Sequence, residues 1–203
     1  KKISISDKSE LINYAYYVAG TVGIMMAKIL NTQNKYAYRY AVDLGIAMQL
    51  TNIMRDIIED ASIDRVYYPK TWIKLTSKKI LENNSNTIKT INKATEKLFE
   101  LSEIYYKSAF KGIAFLPFRS RFAILLALFV YRQIGRKIIK NNFSNLKKRE
   151  IVSLYEKILC LLKVFFIFIF NFNTHFKKYQ HDKNLHANIN SKTFLKSIIY
   201  EQK

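Results

Sequence analysis

Residues 43–69 read DLGIAMQLTNIMRDIIEDASIDRVYYP, and in this stretch Asn52, Asp56 and Asp60 follow one another at intervals of four residues. On an α-helix that interval turns each side chain by only about 40° from the previous one, so an amide and two carboxylates share one face. Oxygen ligands of this kind suit Mg²⁺, which commonly joins protein carboxylates to substrate phosphates. The stretch therefore predicts a metal site for a phosphate-bearing ligand.

The same spacing is also common on solvated helix faces, where carboxylates pair with lysine or arginine and have no further role. Here, however, apolar residues flank the polar set closely, which predicts a largely buried helix; they are Ile46, Met48, Leu50, Ile53, Met54, Ile57 and Ile58. A buried carboxylate needs a partner, because an unpaired buried charge is energetically costly. Arg55 and Arg65 bracket the carboxylates with planar donors that suit phosphate oxygens, so we favour a metal–diphosphate site.

Length and composition predict a helical protein. A chain of 203 residues can bury a sizeable core, and its few glycines (5) and prolines (2) favour long helices. Asp7 and Glu10 form a capping pair for the first helix, and Pro117 should kink or restart a later one. We expect helices near residues 8–30, 35–61, 70–77, 86–110, 113–140 and 147–170.

Several segments of the chain resemble the squalene and phytoene synthase family, in the order and placement that the family has. The stretch QLTNIMRDIIEDASIDRVYYP is similar to the second aspartate-rich motif of that family. The other matching segments are YAYYVAGTVG (residues 14–23), LPFRSR (116–121), YRQI (131–134) and the basic run at 142–149. Together they cover roughly residues 6–157, and the chain is identified as a member of the family.

The resemblance implies an all-α fold, a single-domain helical bundle of the isoprenoid synthase type that is incomplete at its N-terminal end. Residues 1–170 would form the C-terminal two-thirds of that fold, and residues 171–203 a basic polar tail that we expect to be loosely ordered. The implied reaction is the head-to-head condensation of two prenyl diphosphates through a cyclopropyl diphosphate, a step of isoprenoid and carotenoid biosynthesis. Mg²⁺ is the implied cofactor, with Mn²⁺ as the alternative.

The substrate follows from two of the motifs. LTNIMRD and LPFRSR are more similar to phytoene synthases than to squalene synthases, which makes geranylgeranyl diphosphate the expected substrate. The alternative is a squalene-type synthase that uses farnesyl diphosphate.

Carried over by position, the resemblance also implies roles for individual residues. Asn52, Asp56 and Asp60 would hold the metal. Tyr14 aligns with a tyrosine placed near the reacting carbons, where it can take or return a proton, and it joins Asp56 and Asp60 as catalytic. The implied substrate-binding residues are Val18, Gly23, Gln49, Arg55, Arg65, Tyr67 and Tyr131.

The glycines of the VAGTVG run have a physical reason of their own. Glycine in a helix interior costs about 1 kcal/mol relative to alanine, so Gly20 and Gly23 suggest a close approach to the backbone. Either a neighbouring helix or a ligand would satisfy this requirement.

The chain departs from the family pattern in two places. The family carries a first aspartate-rich motif far upstream of its tyrosine-rich helix, whereas only 13 residues precede Tyr14 here and they hold no paired carboxylates. In addition, Asp64 stands before Arg65, where the family usually has glycine. Two further hypotheses follow, a non-catalytic member similar to assembly factors of respiratory complexes and an inactive gene fragment. Retention of the metal-site residues and of Tyr14 argues against the non-catalytic hypothesis.

The net charge of +19 would ordinarily suggest nucleic acid or an anionic membrane as a partner. The lysines are scattered, and the abundance of Lys, Asn, Ile, Phe and Tyr is typical of an A+T-rich genome. No nucleic-acid-binding motif is recognisable in the sequence, so we expect no nucleic-acid partner. The oligomeric state is not predicted.

An apolar run near the C-terminal end favours a membrane surface. Residues 158–170 read ILCLLKVFFIFIF, which is too short to span a bilayer, and Lys177 and Lys178 follow to meet lipid headgroups. We therefore expect a cytoplasmic protein in peripheral contact with a membrane. A single cysteine, Cys160, fits a reducing compartment. The histidines, His175, His181 and His186, all lie in the polar tail and are expected to be solvated.

Overall fold

Three long helices, α3 (Tyr36–Arg55), α6 (Ser85–Lys111) and α7 (Phe118–Lys140), pack against one another and enclose most of the core in this computed structural model. The structure describes residues 3–82, 84–143 and 146–189. The shorter helices in these ranges are α1 (Lys8–Ala15), α2 (Thr21–Ile29), α4 (Ile57–Ser62), α5 (Ser77–Glu82), α8 (Leu154–Phe170) and α9 (Asn173–Phe176). A π-helical turn spans Tyr16–Gly20, and 3₁₀ turns span Ile113–Phe115 and Lys183–His186. Strands β1 (Ile3–Ser4) and β2 (Arg65–Val66) form a short parallel pair. The all-α prediction is confirmed.

Helix starts follow the expected capping signals. Asp7 accepts a hydrogen bond from the Glu10 amide at 2.9 Å and opens α1, as its position predicts. Pro117 separates the 3₁₀ turn from α7, because its extended backbone interrupts the helical path between them. The long helix predicted at 86–110 is confirmed as α6.

Two predicted helices are wrong in position. Residues 70–72 form a turn and residues 73–76 are irregular instead of helical, because the amides of Lys70 and Thr71 donate to the carbonyls of Ile5 and Ser6 near the start of the chain. The last long helix begins at Leu154 rather than at 147, because Ser153 and Glu156 make a reciprocal capping box there.

Helix α3 packs backbone to backbone against α2 and against the π-helical turn, at two glycines. A Cβ on Gly23 would lie 2.1 Å from the carbonyl oxygen of Ala41, and a Cβ on Gly45 would lie 2.2 Å from that of Ala19. Real Cβ atoms essentially never come so close, so glycine is required at both positions. Close approach of a neighbouring helix thus accounts for Gly23 of the VAGTVG run.

The first part of the tail packs on the bundle. His181 and His186 are both buried, and their side chains contact Asp43 of α3. The hydroxyl of Tyr105 on α6 also donates to the carbonyl of Leu185. The predictions of a loosely ordered tail and of solvated histidines are therefore wrong for this segment, because Asp43 gives His181 and His186 a buried partner on α3. Residues 190–203 of the tail lie outside the described residues.

Helix α8 leaves most of its apolar side chains exposed. Cys160 and Val164 are its buried residues, whereas Leu162, Phe166 and Phe170 are exposed. Among the helices in the described ranges, none combines the length and the apolar character needed to cross a bilayer.

Candidate active site

The helical path that carries the polar residues changes at Asp56, where α3 ends and α4 begins one residue later. Asp56 has φ −103° and ψ 17°, yet its amide donates to the carbonyl of Asn52 at 2.9 Å and its carbonyl accepts from the amide of Asp60 at 2.8 Å. The hydrogen-bond interval of four residues therefore continues through the break. The single helix predicted at 35–61 is thus interrupted at the residue in the middle of the polar set.

Two arginines bind the carboxylate of Asp56. Arg55 makes a bidentate pair with it, Nε to Oδ1 and Nη2 to Oδ2, both at 2.7 Å. Arg149 approaches from the segment that precedes α8, with its Nε 3.1 Å from Oδ1 and its Nη1 3.6 Å from Glu59. Sequence reasoning missed Arg149, because contacts between distant segments cannot be read from spacing; the basic run at 147–149 was the available signal.

Asn52 and Asp60 carry two further oxygen donors, Asn52 at the apolar cavity described below and Asp60 in a small pocket that Arg65 and Tyr67 also line. Burial, together with the negative charge of Asp56, raises the pKa of Asp60 to about 6. The Oδ1 atom of Asn52 is buried and has no hydrogen-bond partner among the described residues, while its Nδ2 lies 3.4 Å from the Oε1 of Gln49. A divalent cation would relieve the repulsion between the carboxylates and would give the amide oxygen a partner. These side chains therefore fit the kind of cation that the sequence predicts.

An apolar cavity of about 310 Å³ lies alongside α3 and reaches Asn52. Residues of α3 from Ala37 to Asn52 line it, and at 1.5 Å per residue this wall is about 22 Å long. Gly23 of α2, Gly112 after α6 and Tyr131 of α7 contribute to the facing walls. A long apolar cavity with polar groups at one end suits a hydrocarbon chain that carries a polar head.

Tyr14 lies beside Tyr67, with the two rings stacked at a centroid distance of 4.9 Å and an interplanar angle of 27°. Burial and the hydrogen bond with Tyr67 raise the pKa of the Tyr14 phenol well above its usual range, and the charge of Asp60 raises it further. Asp60, Arg65 and Tyr67 line one small pocket. The fold thus brings Tyr14, Arg65 and Tyr67 into the neighbourhood of one of the two candidate carboxylates.

The remaining predicted residues divide between the cavity and its surroundings. Gly23 and Tyr131 line the cavity, and Gln49 contacts Asn52 at its polar end. Val18 lies outside the lining and is exposed, whereas the next residue, Ala19, lines the cavity. The π-helical turn explains this placement, because its wider winding changes which residues of the segment face inward.

Asp64 occupies a left-handed backbone conformation, with φ 56°. Glycine adopts such a conformation without steric cost, which explains why the family usually places glycine before the arginine. The Asp64 side chain is exposed and accepts a hydrogen bond from Ser77. Asp64 is therefore an exposed turn residue.

The chain is similar to known proteins over most of its length. The family model described as squalene/phytoene synthase matches residues 2–156. The 15-cis-phytoene synthase of Enterobacter agglomerans is 38% identical over 156 residues, which are 75% of this chain and 52% of that protein. The chloroplastic phytoene synthase of an Oncidium hybrid cultivar is 35% identical over 175 residues, with 79% and 41% of the two chains covered.

A solved structure shows the same relationship. A dehydrosqualene synthase crystallised with a ligand superposes with a TM-score of 0.66 at 29% identity, over 79% of this chain and 57% of that one. In all these comparisons the chain spans about half the length of the proteins that it matches.

Proposed function

Because this chain belongs to the squalene/phytoene synthase family, we propose that it acts as a phytoene synthase-like prenyltransferase. The proposed reaction joins two geranylgeranyl diphosphates head to head through a cyclopropyl diphosphate. The observation that carries the proposal is the long apolar cavity that reaches Asn52, next to the carboxylates of Asp56 and Asp60. This arrangement would hold the prenyl chain in the cavity and its diphosphate at the polar end.

The polar end would bind the diphosphate through metal ligands and arginines. Asn52, Asp56 and Asp60 would hold Mg²⁺ or Mn²⁺, which when bound supplies positive charge that stabilises the departing diphosphate. Arg55 and Arg149, already beside Asp56, offer guanidinium donors to the diphosphate oxygens. These residues would release the leaving group and leave an allylic cation in the cavity.

The rest of the site would protect and direct that cation. The walls are largely apolar, so they present few groups that could capture a carbocation before the second prenyl chain attacks. Tyr14 is a neutral phenol, and its raised pKa makes it a weaker acid that can hold a proton next to Asp60. Glycine or alanine lines much of the α2–α3 wall, which leaves room for the hydrocarbon.

The test is a product assay with both candidate substrates. The chain is incubated with geranylgeranyl diphosphate or farnesyl diphosphate and Mg²⁺, alone and co-expressed with the part of the Enterobacter agglomerans relative that precedes its matched region. We expect phytoene from geranylgeranyl diphosphate in the co-expressed sample. Asp56→Asn should lower turnover by on the order of 10²-fold or more, because it removes charge stabilisation in the transition state. Glu96→Gln, an exposed carboxylate on α6, is the matched control and should keep wild-type turnover.

Two outcomes would contradict the proposal. If product formed with farnesyl diphosphate and not with geranylgeranyl diphosphate, the squalene-type alternative would replace the proposed reaction. No product from either substrate in a folded, co-expressed sample would favour the non-catalytic or inactive hypotheses.

We further propose that the protein contacts a membrane peripherally from the cytoplasm through α8. The exposed apolar side chains of this helix, among them Phe165, Phe166 and Phe170, form a surface that would otherwise face water. Lys177 and Lys178 are exposed just beyond the helix and can meet anionic headgroups. Co-sedimentation with phosphatidylglycerol vesicles tests this contact. Phe166→Glu should lower vesicle binding, whereas the control Leu81→Glu, at an exposed apolar residue on α5, should not. Equal binding by the two variants would refute the proposed membrane contact.

A further inference from the structure

A buried cluster joins α3 to the C-terminal segment. The Nε2 atom of His181 lies 2.9 Å from Oδ2 of Asp43, and the Nε2 atom of His186 lies 2.7 Å from Oδ1. The three side chains are 0–2% exposed, so the cluster is closed to solvent. One nitrogen of each histidine and one carboxylate oxygen all lie within 4.8 Å of one another.

The cluster is separate from the candidate active site. Asp43 precedes Asn52 by nine positions on α3, which is about 13 Å along the helix axis. The two histidines lie beyond residue 156, where the family match ends. The properties of the family therefore do not account for this cluster.

We propose that Asp43, His181 and His186 form a binding site for a divalent transition metal of the zinc class, which fastens the C-terminal segment to α3. Two imidazoles and a carboxylate are a ligand set that zinc commonly takes. The histidines stand in the sequence HDKNLH, with four residues between them, which is within the spacing of paired zinc histidines. Three protein ligands leave one position of a tetrahedral shell to a water molecule or another donor, and the burial of the cluster points to a structural role for the metal.

The surroundings of the carboxylate suit a metal ligand. Ser108 donates a hydrogen bond to Oδ2 of Asp43 at 2.6 Å and so fixes the orientation of the carboxylate. The ring of Tyr40 packs edge-on against His181, with centroids 5.1 Å apart, and restricts that imidazole.

Metal binding requires a small expansion of the cluster. Ligand atoms held at about 2.0–2.1 Å in a tetrahedral shell lie about 3.3 Å from one another. The distances from Nε2 of His181 and His186 to the Asp43 carboxylate, 2.9 and 2.7 Å, must therefore lengthen by about half an ångström. Rotation of the two imidazoles, which lie on a short loop and a 3₁₀ turn rather than on a long helix, can supply that movement.

The site would also stabilise the far end of the apolar cavity. The segment that carries the histidines accepts hydrogen bonds at the carbonyls of Tyr179 and Leu185, from the hydroxyls of Tyr40 and Tyr105. Tyr40 lines the cavity, so the metal would hold the cavity wall through the segment behind it.

Zinc binding by the wild-type chain is the first measurement. Protein stripped with a chelator is titrated with Zn²⁺ in excess Mg²⁺, which occupies the carboxylates of the candidate active site. We expect a single zinc per chain by mass spectrometry of the metal, and a visible absorption band of tetrahedral Co²⁺ when cobalt replaces zinc. The melting temperature should rise by roughly 5–10 °C when zinc exceeds its dissociation constant a hundredfold.

Variants distinguish a metal site from a hydrogen-bonded cluster. His186→Gln can still donate a hydrogen bond to Asp43 but lacks the imidazole ligand, so it should lose both the bound zinc and the thermal shift. His175→Gln, which changes a histidine outside the cluster, is the matched control and should retain both. A wild-type chain without stoichiometric zinc, or an equal thermal response from His186→Gln, would overturn the proposal and leave a hydrogen-bonded cluster only.

Discussion

Replacing Gly45 with alanine is expected to destabilise the bundle, because it would force α3 away from the π-helical turn. The new Cβ would lie 2.2 Å from the carbonyl oxygen of Ala19, 2.6 Å from its carbonyl carbon and 2.8 Å from the nitrogen of Gly20. Ordinary contacts begin at 3.4 Å, so the two backbones would have to separate by about 1.2 Å. Every clashing atom belongs to the backbone, and no change of side-chain rotamer can relieve the contact.

The magnitude follows from two opposing effects. Overpacking of a core typically costs about 1–3 kcal/mol, and this clash belongs at the upper end because only backbone can move. Replacing glycine in a helix interior returns about 0.5–1 kcal/mol of conformational entropy. We therefore expect a net loss of about 2 kcal/mol in the free energy of unfolding. For a chain of this length the melting temperature should fall by roughly 4–8 °C, as measured by circular dichroism.

Gly135→Ala is the matched control, since Gly135 also lies inside a long helix. Its Cβ would meet side-chain atoms only, Cδ2 of Phe99 at 3.2 Å and Cε of Met54 at 3.4 Å, and these can shift. Its melting temperature should stay within a few degrees of the wild-type value, since the entropic gain is less than about 1 kcal/mol. A Gly45→Ala variant at least as stable as Gly135→Ala would refute the reasoning about backbone contact.

Three further predictions concern stability and are measured by urea unfolding. Asp7→Ala removes the side-chain cap of α1 and should cost about 1 kcal/mol, whereas an unchanged midpoint would mean that solvent replaces the cap. Thr51→Val leaves the buried hydroxyl of Tyr106 without its partner at 2.9 Å and should lower the free energy of unfolding by about 1–3 kcal/mol. Adding Tyr106→Phe should recover part of that loss. Strictly additive effects of the two substitutions would contradict the contact. Burial raises the pKa of Glu103, but hydrogen bonds from Arg132 outweigh it and lower the pKa overall. A carboxyl whose pKa is lower in the folded than in the unfolded protein stabilises the fold at pH values above the unfolded pKa, and this stabilisation is lost on acidification. The loss of unfolding free energy that Glu103→Gln causes at neutral pH should therefore shrink below about pH 4. A loss that is independent of pH would contradict this prediction.

The polar set of the candidate site could be predicted because it is local. Asn52, Asp56 and Asp60 are related by helical periodicity, and the hydrogen bonds through Asp56 preserve that relation even where the helix breaks. Arg149 could not be predicted in the same way, since it reaches Asp56 from another part of the chain. The exposed position of Val18 depends on a π-helical turn, and such turns have no clear signal in a single sequence.

The tail shows where composition misleads. Its polar, basic residues predict solvation, yet His181 and His186 are buried against Asp43. A histidine is solvated or buried according to what the fold places opposite it, and Asp43 lies on a helix far away in the sequence. Its apolar neighbours on α3 gave no sign that two histidines would approach it.

The sequence by itself determined the all-α class, most of the long helices, the family and the interval of four residues that relates Asn52, Asp56 and Asp60. These depend on periodicity, capping and local motifs, which act over a few residues. Only the tertiary structure decided that Arg149 joins Asp56, that the apolar cavity reaches Asn52 and that the histidines of the tail meet Asp43. These features arise where distant segments pack together, and such packing depends on the whole fold.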